Sequence, residues 1–366
     1  MATQSELDGV LDDGSVLASY DPSDMLGRIA GLPDQLADAW ARSRRLTLPD
    51  AHRAARAAVV LGMGGSAIGA DLVRGIFADR LRVPLLPVRD YGLPAFVDGS
   101  TLVVASSYSG ATEETISALT TALERHCPVA VITTGGPLRS VAERAVLPLL
   151  TFEGGGQPRA AIGYGMMLLA GLLERAGHLP IDDGEVTSAV EAARAAVARC
   201  GPAVHTTQNP AKQLAWSLVD RLPIVEASGH LAPVARRWKT QLNENAKTTA
   251  AWEELPEATH NAVVGYAQPE ALHERMFVVF LASSSEHPRN ARRASLSAEL
   301  LAASQIAHQV VPAAGQGRLA EACSVIVLGD FVSAYLAVLY GLDPTPVNAI
   351  AQLKARLAAL DAEAAD

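Results

Sequence analysis

The sequence predicts an α/β protein of two successive halves of similar size, each a mainly parallel sheet flanked by helices. Three observations carry this. Short apolar runs at 57–63, 101–105 and 129–133 alternate with helix-length segments, the pattern of right-handed crossovers that cover a parallel sheet on both faces. Glycine-rich turns follow these runs, in VLGMGGSA and TTGGPL. The alternation resumes after a break, GHLPIDDG at 177–184, and 366 residues suffice for two modest cores rather than one.

Taken in order, residues 1–20 read as loose, and 24–42 has helical spacing broken near Gly31-Leu32-Pro33. Residues 1–50 are thus expected as an N-terminal helical extension. The first unit, 51–178, has a strand at 57–63, its helix at 66–77 and a short apolar run at 83–88. A strand at 101–105, a helix at 112–125 and a strand at 129–133 follow, then a glycine-led helix and an apolar run at 146–152. The turn-rich FEGGGQPRAAIGYG opens an apolar helix running to about Ala176. The second unit, 185–366, reads as strands at 222–226, 276–282 and 307–311. Helices are expected at 232–252, 289–303 and 319–340; DPTP at 343–346 stops the last, and NAIAQLKARLAALDAEAA closes the chain as an amphipathic helix.

With 49% hydrophobic and 19% charged residues the chain is globular rather than disordered. Thirty basic against thirty-nine acidic residues, a net charge of −9, argue against a nucleic-acid partner while leaving room for a small basic pocket. Cys127, Cys200 and Cys323 form no CxxC and fit a reducing compartment. MATQSELDGVLDDG has neither a secretory apolar region nor Arg-rich transit character, so a cytoplasmic location is expected. No apolar run is expected to span a membrane, since ASLSAELLAAS and SAYLAVLYGL are flanked or interrupted too soon. There is no HxxH, HExxH or Cys/His cluster, so neither metal nor cofactor is expected.

The chemistry concentrates in TLVVASSYSGATEET, residues 101–115. Ser106, Ser107, Ser109 and Thr112 place four aliphatic hydroxyls within seven residues, and Gly110 lets the backbone turn. A helix N-terminus has unpaired N–H groups and partial positive charge, so this loop suits an anion. Glu113 and Glu114 suit the first helical turn. VVLGMGGSAI repeats the design one unit earlier, with Gly65 and Ser66. Simple helix capping is the competing explanation for each hydroxyl.

LGMGGSAIGADL, SSYSGATEET, QPRAAIGYG, NENAKTTA with LPEATHNAVVGY, and DPTPVNAIAQLK occur in that order. Together they resemble the bifunctional phosphoglucose/phosphomannose isomerases of the sugar-isomerase (SIS) superfamily, over roughly 57–357. The resemblance implies two SIS-type αβα subdomains and a metal-free aldose–ketose isomerisation of a sugar 6-phosphate through an enediol. It implies phosphate binding by Gly65, Ser66, Ser107, Ser109 and Thr112. It makes Glu244 the base and His260, sixteen residues on, the ring-opening group. Arg159 would face the enediolate, and Lys354 would aid ring opening or orient the sugar. A homodimer is implied, with His260 reaching the partner's site.

Without that pattern Glu244 reads as a surface glutamate beside Lys247, and Lys354 as a surface lysine. Glu253 and Glu254 read as a helix end. The second loop carries SGAT where many relatives carry SGNT, and either Thr345 or Val347 stands near carbon-2. Three rivals remain: a dinucleotide-binding enzyme using Gly62-x-Gly64-x-x-Ala67 with Asp90, a sugar-phosphate sensor, and an amino-sugar phosphate isomerase.

Overall fold

The computed structural model describes residues 9–365, of which 361–365 by backbone alone. Two parallel sheets form the scaffold. The first has strands β1 (Ala57–Leu61), β2 (Leu85–Val88), β3 (Thr101–Ser107), β4 (Val129–Thr133) and β5 (Leu149–Thr151) in the order β2-β1-β3-β4-β5. The second has β6 (Leu222–Ser228), β7 (Ala251–Leu255), β8 (Met276–Ala282) and β9 (Ala307–Pro312) in the order β7-β6-β8-β9. Every pairing is parallel. β3 and β4 are buried along their whole length, which is why they read as unbroken apolar runs rather than alternating ones. In each sheet the chain reverses direction across the sheet at one place, between β1 and β3 and between β6 and β8, where open α/β sheets form their ligand crevices.

Helices fill the space between the sheets. Gly64–Ile76 contacts both Ile162–Arg175 and Ala232–Glu244, so the crossover helices of the two halves meet directly. Arg318–Leu339 packs against Asp183–Cys200, Pro210–Leu218 and Ala232–Glu244, and residues 319–339 are all buried. It is long and apolar enough to cross a membrane, which corrects the expectation that no such run exists. Its surroundings are protein on every side.

Other departures have local causes. Residues 14–20 are helical rather than loose, because the Asp13 carboxylate caps the N–H groups of Ser15 and Val16 while Leu17 is buried; residues 1–8 lie outside the described ones. The break at Gly31 is as expected, separating Met25–Ala30 from Leu32–Ser43. The helix expected over 232–252 stops at Glu244. Lys247 takes a left-handed backbone, φ 54°, and the chain then returns as β7 along the edge of β6. Glu253 and Glu254 therefore stand on a strand, not at a helix end.

Candidate active site

The crevice at the carboxyl ends of β1 and β3 holds both hydroxyl loops. The helices Gly64–Ile76 and Glu113–Glu124 start here, and neither has a side-chain cap at its N-cap residue, Met63 or Thr112. The hydroxyls are used differently from caps. Ser107 Oγ lies 2.8 Å from Thr112 Oγ1, and Ser66 Oγ accepts the Tyr108 N–H at 3.1 Å, joining the two loops. Ser109 Oγ accepts the Ala111 N–H at 3.2 Å and remains exposed. The first N–H groups of both helices, at Gly64 and Gly65 and at Glu113 and Glu114, are left without a side-chain cap and suit an anion.

Two glycines allow the close approach of these loops. A Cβ on Gly65 would lie 2.9 Å from the Pro158 carbonyl carbon and 3.1 Å from Arg159 N, so only glycine lets the first loop touch the Arg159 turn. Gly110, at φ 66°, would carry its Cβ into Gly135 O.

Arg159 is the hub on the opposite wall. It is 2% exposed, and all five of its N–H groups have acceptors. Nε donates to Asn245 Oδ1 at 2.5 Å; Nη1 donates to Gln157 Oε1 and, at 3.4 Å, to Glu244 Oε2; Nη2 donates to the carbonyls of Pro344 and Thr345 at 2.8 and 2.7 Å. Burial pulls its basicity below that of a free guanidinium, and the Glu244 carboxylate opposes the shift. Glu244 itself stays 28% exposed. Beneath this wall, Arg237 donates to the Arg159 carbonyl and ion-pairs with buried Asp330 at 2.5 Å, while Asn245 Nδ2 donates to Ser333 Oγ. The apolar helix Arg318–Leu339 thus spends two polar residues on supporting the site.

Sequence reasoning missed Asn245 and Lys247. Both lie inside the quoted NENAKTTA, but spacing alone does not reveal that Asn245 turns inward or that Lys247 leaves the helix. Lys247 Nζ donates to the carbonyls of Asn245 and Asp343 at 2.9 and 2.6 Å, so it ties the Glu244 turn to the DPTP segment. Burial, with Arg159 adding to it, lowers its pKa to about 8. The same segment brings Thr345 to Arg159, with the Thr345 hydroxyl buried and unpartnered.

Two expected residues are not brought to Glu244 within the chain. Glu244 precedes β7 and His260 follows it, in the turn Glu257–His260. The length of a five-residue strand, roughly 17 Å, therefore separates them, at the two ends of the edge strand β7. Lys354 is exposed on the helix Asn348–Ala365. Among the described residues, no group of three or more His, Cys, Asp or Glu is placed to hold a metal ion.

Two parallel sheets flanked by helices, with hydroxyl-lined loops at the reversal of the first, define an α/β protein of the SIS type. A hypothetical protein from Thermus thermophilus shares this fold, with a TM-score of 0.74 at 18% identity over 96% of this chain and 93% of that one. A family model described as the bacterial phospho-glucose isomerase C-terminal SIS domain matches residues 207–357. The bifunctional phosphoglucose/phosphomannose isomerase of Caldicellulosiruptor bescii is 38% identical over 336 residues, 91% of this chain and 99% of the relative. That of Aquifex aeolicus is 32% identical over 82% of this chain and 89% of the relative. The chain belongs to the bifunctional phosphoglucose/phosphomannose isomerase family.

Proposed function

We propose that this chain interconverts glucose 6-phosphate and mannose 6-phosphate with fructose 6-phosphate through an enediol. The observation that carries the reading is the facing of two walls. Uncapped helix N-termini and clustered loop hydroxyls suit a phosphate, and a half-buried carboxylate, Glu244, is held opposite them by Arg159. Gly65, Ser66, Ser107, Ser109 and Thr112 hold the phosphate. Glu244 takes the proton from carbon-2 of the open-chain aldose as the C–H electron pair forms the carbon–carbon double bond, and returns it to carbon-1, while a hydroxyl proton moves from the carbon-2 oxygen to the carbon-1 oxygen. Arg159, its hydrogen bonds committed, acts as a fixed positive charge near the enediolate. Thr345, with its unpartnered hydroxyl, stands nearer the sugar than Val347.

His260 opens the ring of a sugar bound to a second copy. Its distance from Glu244 along β7 supports this, and so does the helix that carries Lys354, which leaves Ile350, Leu353 and Leu357 between 44 and 62% exposed on one stripe. The three cysteines are free and buried, in keeping with a reducing cytoplasm. Incubation with fructose 6-phosphate in deuterated water tests the reading: both aldose phosphates should form with deuterium at carbon-2. Absence of exchange would remove the proposal.

A further inference from the structure

The second half repeats four of the five strands of the first in the same order: β6 answers β1, β7 answers β2, β8 answers β3 and β9 answers β4, and β5 has no counterpart. At its own reversal, between β6 and β8, Ser228 ends one strand and a serine run, Ser283 to Ser285, follows the other. The far wall also corresponds. In the first crevice it is the carboxyl end of the crossover helix Ala232–Glu244; in the second it is the carboxyl end of the crossover helix Gly64–Ile76, with Asp71 and Arg74. The space between is a cavity of about 570 Å³, ample for a hexose.

One thing differs. The serine loop already holds an anion, the carboxylate of Glu321. Ser283 Oγ and Ser284 Oγ donate to it at 2.6 and 2.5 Å, Ser284 N donates at 3.0 Å, and His230 Nε2 lies 2.9 Å away. Burial alone would raise this carboxyl, but these hydrogen bonds hold it below its ordinary range. A phosphate is therefore excluded from the loop by the chain's own side chain. The rest of the lining disfavours one too. Arg236 and Arg318 are paired with Asp71 and Asp79 at 3.2 and 2.7 Å, while Glu254 and Glu286 add carboxylates for which the structure gives no ion pair. Yet the cavity has polar groups in want of partners. Ser228 is 3% exposed with an unpartnered hydroxyl, and Glu286 Oε1 is buried without one. Burial raises the Glu286 carboxyl, opposed first by the Ser283 backbone N–H and then by Ser228, although Glu286 Oε1 and Ser228 Oγ close no well-formed hydrogen bond.

We propose that this second crevice is a ligand site for a neutral polyhydroxylated molecule of hexose size, the counterpart of the substrate site with the phosphate position filled by Glu321. Ligand hydroxyls would donate to Glu254 and Glu286 and accept from Ser228 and Arg74. The correspondence rests on the reading that the first-half loops hold the phosphate.

The experiment titrates D-glucose into the full-length protein with fructose 6-phosphate saturating the first crevice, followed by saturation-transfer NMR. We expect saturable binding that the sugar phosphate does not displace, weakened about tenfold by Ser228→Ala or by Glu286→Gln. Both variants should turn over sugar phosphate as the parent does, which shows that they fold. Absence of saturable glucose binding, full displacement by fructose 6-phosphate, or indifference to both variants would overturn the proposal. A separate result bears on the first crevice: if Ser66→Ala with Ser109→Ala leaves sugar-phosphate affinity unchanged, the phosphate assignment fails there.

Discussion

The crevice of the first sheet and that of the second share strand order, a serine-bearing loop after the third-position strand and a wall from the other half's crossover helix. They differ in what the loop's donors do. In the first, the helix N-termini carry no side-chain cap. In the second, the Ser283 and Ser284 donors close on Glu321, and the helix Pro288–Ala303 is capped by His287. The backbone makes an anion cradle available; a single acidic side chain decides whether it is offered to solvent.

The largest expected effect falls on the first crevice alone. Glu244→Gln keeps shape and removes the base, and should reduce deuterium exchange into both aldose phosphates by about three orders of magnitude. Loss of the glucose reaction with the mannose reaction spared would mean that no shared base exists. Next, mixing inactive Glu244→Gln protein with His260→Ala protein should restore activity above either parent, because a mixed dimer holds one site with both groups intact. Additive activity would place His260 outside the partner's site. Ser66→Ala combined with Ser109→Ala should weaken sugar-phosphate binding by about two orders of magnitude, at roughly 1.5–3 kcal/mol per bond to a charged group.

Smaller effects sharpen the contrast. Lys247 is lowered from 10.5 to about 8 by burial and by Arg159. Between those values the unfolded chain holds a proton that the folded chain has released. Urea unfolding across that window should therefore show stability rising with pH more steeply in the parent than in Lys247→Met; parallel curves would mean that Lys247 is not desolvated. The least effect is expected from EDTA, which should leave turnover unchanged, and activity lost to chelation and restored by zinc would overturn the enediol scheme.

The sequence made the first half legible because its strands are buried on both faces and its loops are spelled in glycine and hydroxyls. β7 was not: AWEEL carries two acids and lies at a sheet edge, where only pairing with β6 makes it a strand. Arg159, Glu244 and the DPTP segment were named from separate motifs, but their meeting depends on contacts across 85 to 186 residues. No local pattern encodes those. Glu321 stayed hidden because an acid in the first turn of an apolar helix looks like ordinary dipole compensation.

The buried helix Arg318–Leu339 has a consequence for the timing of synthesis. It has the hydropathy of a membrane segment and depends on other helices to cover it. Its main packing partners, Asp183–Cys200, Pro210–Leu218 and Ala232–Glu244, precede it in the chain. A ribosome therefore delivers them before their most water-averse neighbour, and domains fold largely in order of emergence. Dilution from denaturant releases every segment at once, and leaves this helix to find its cover in competition with identical helices on other chains.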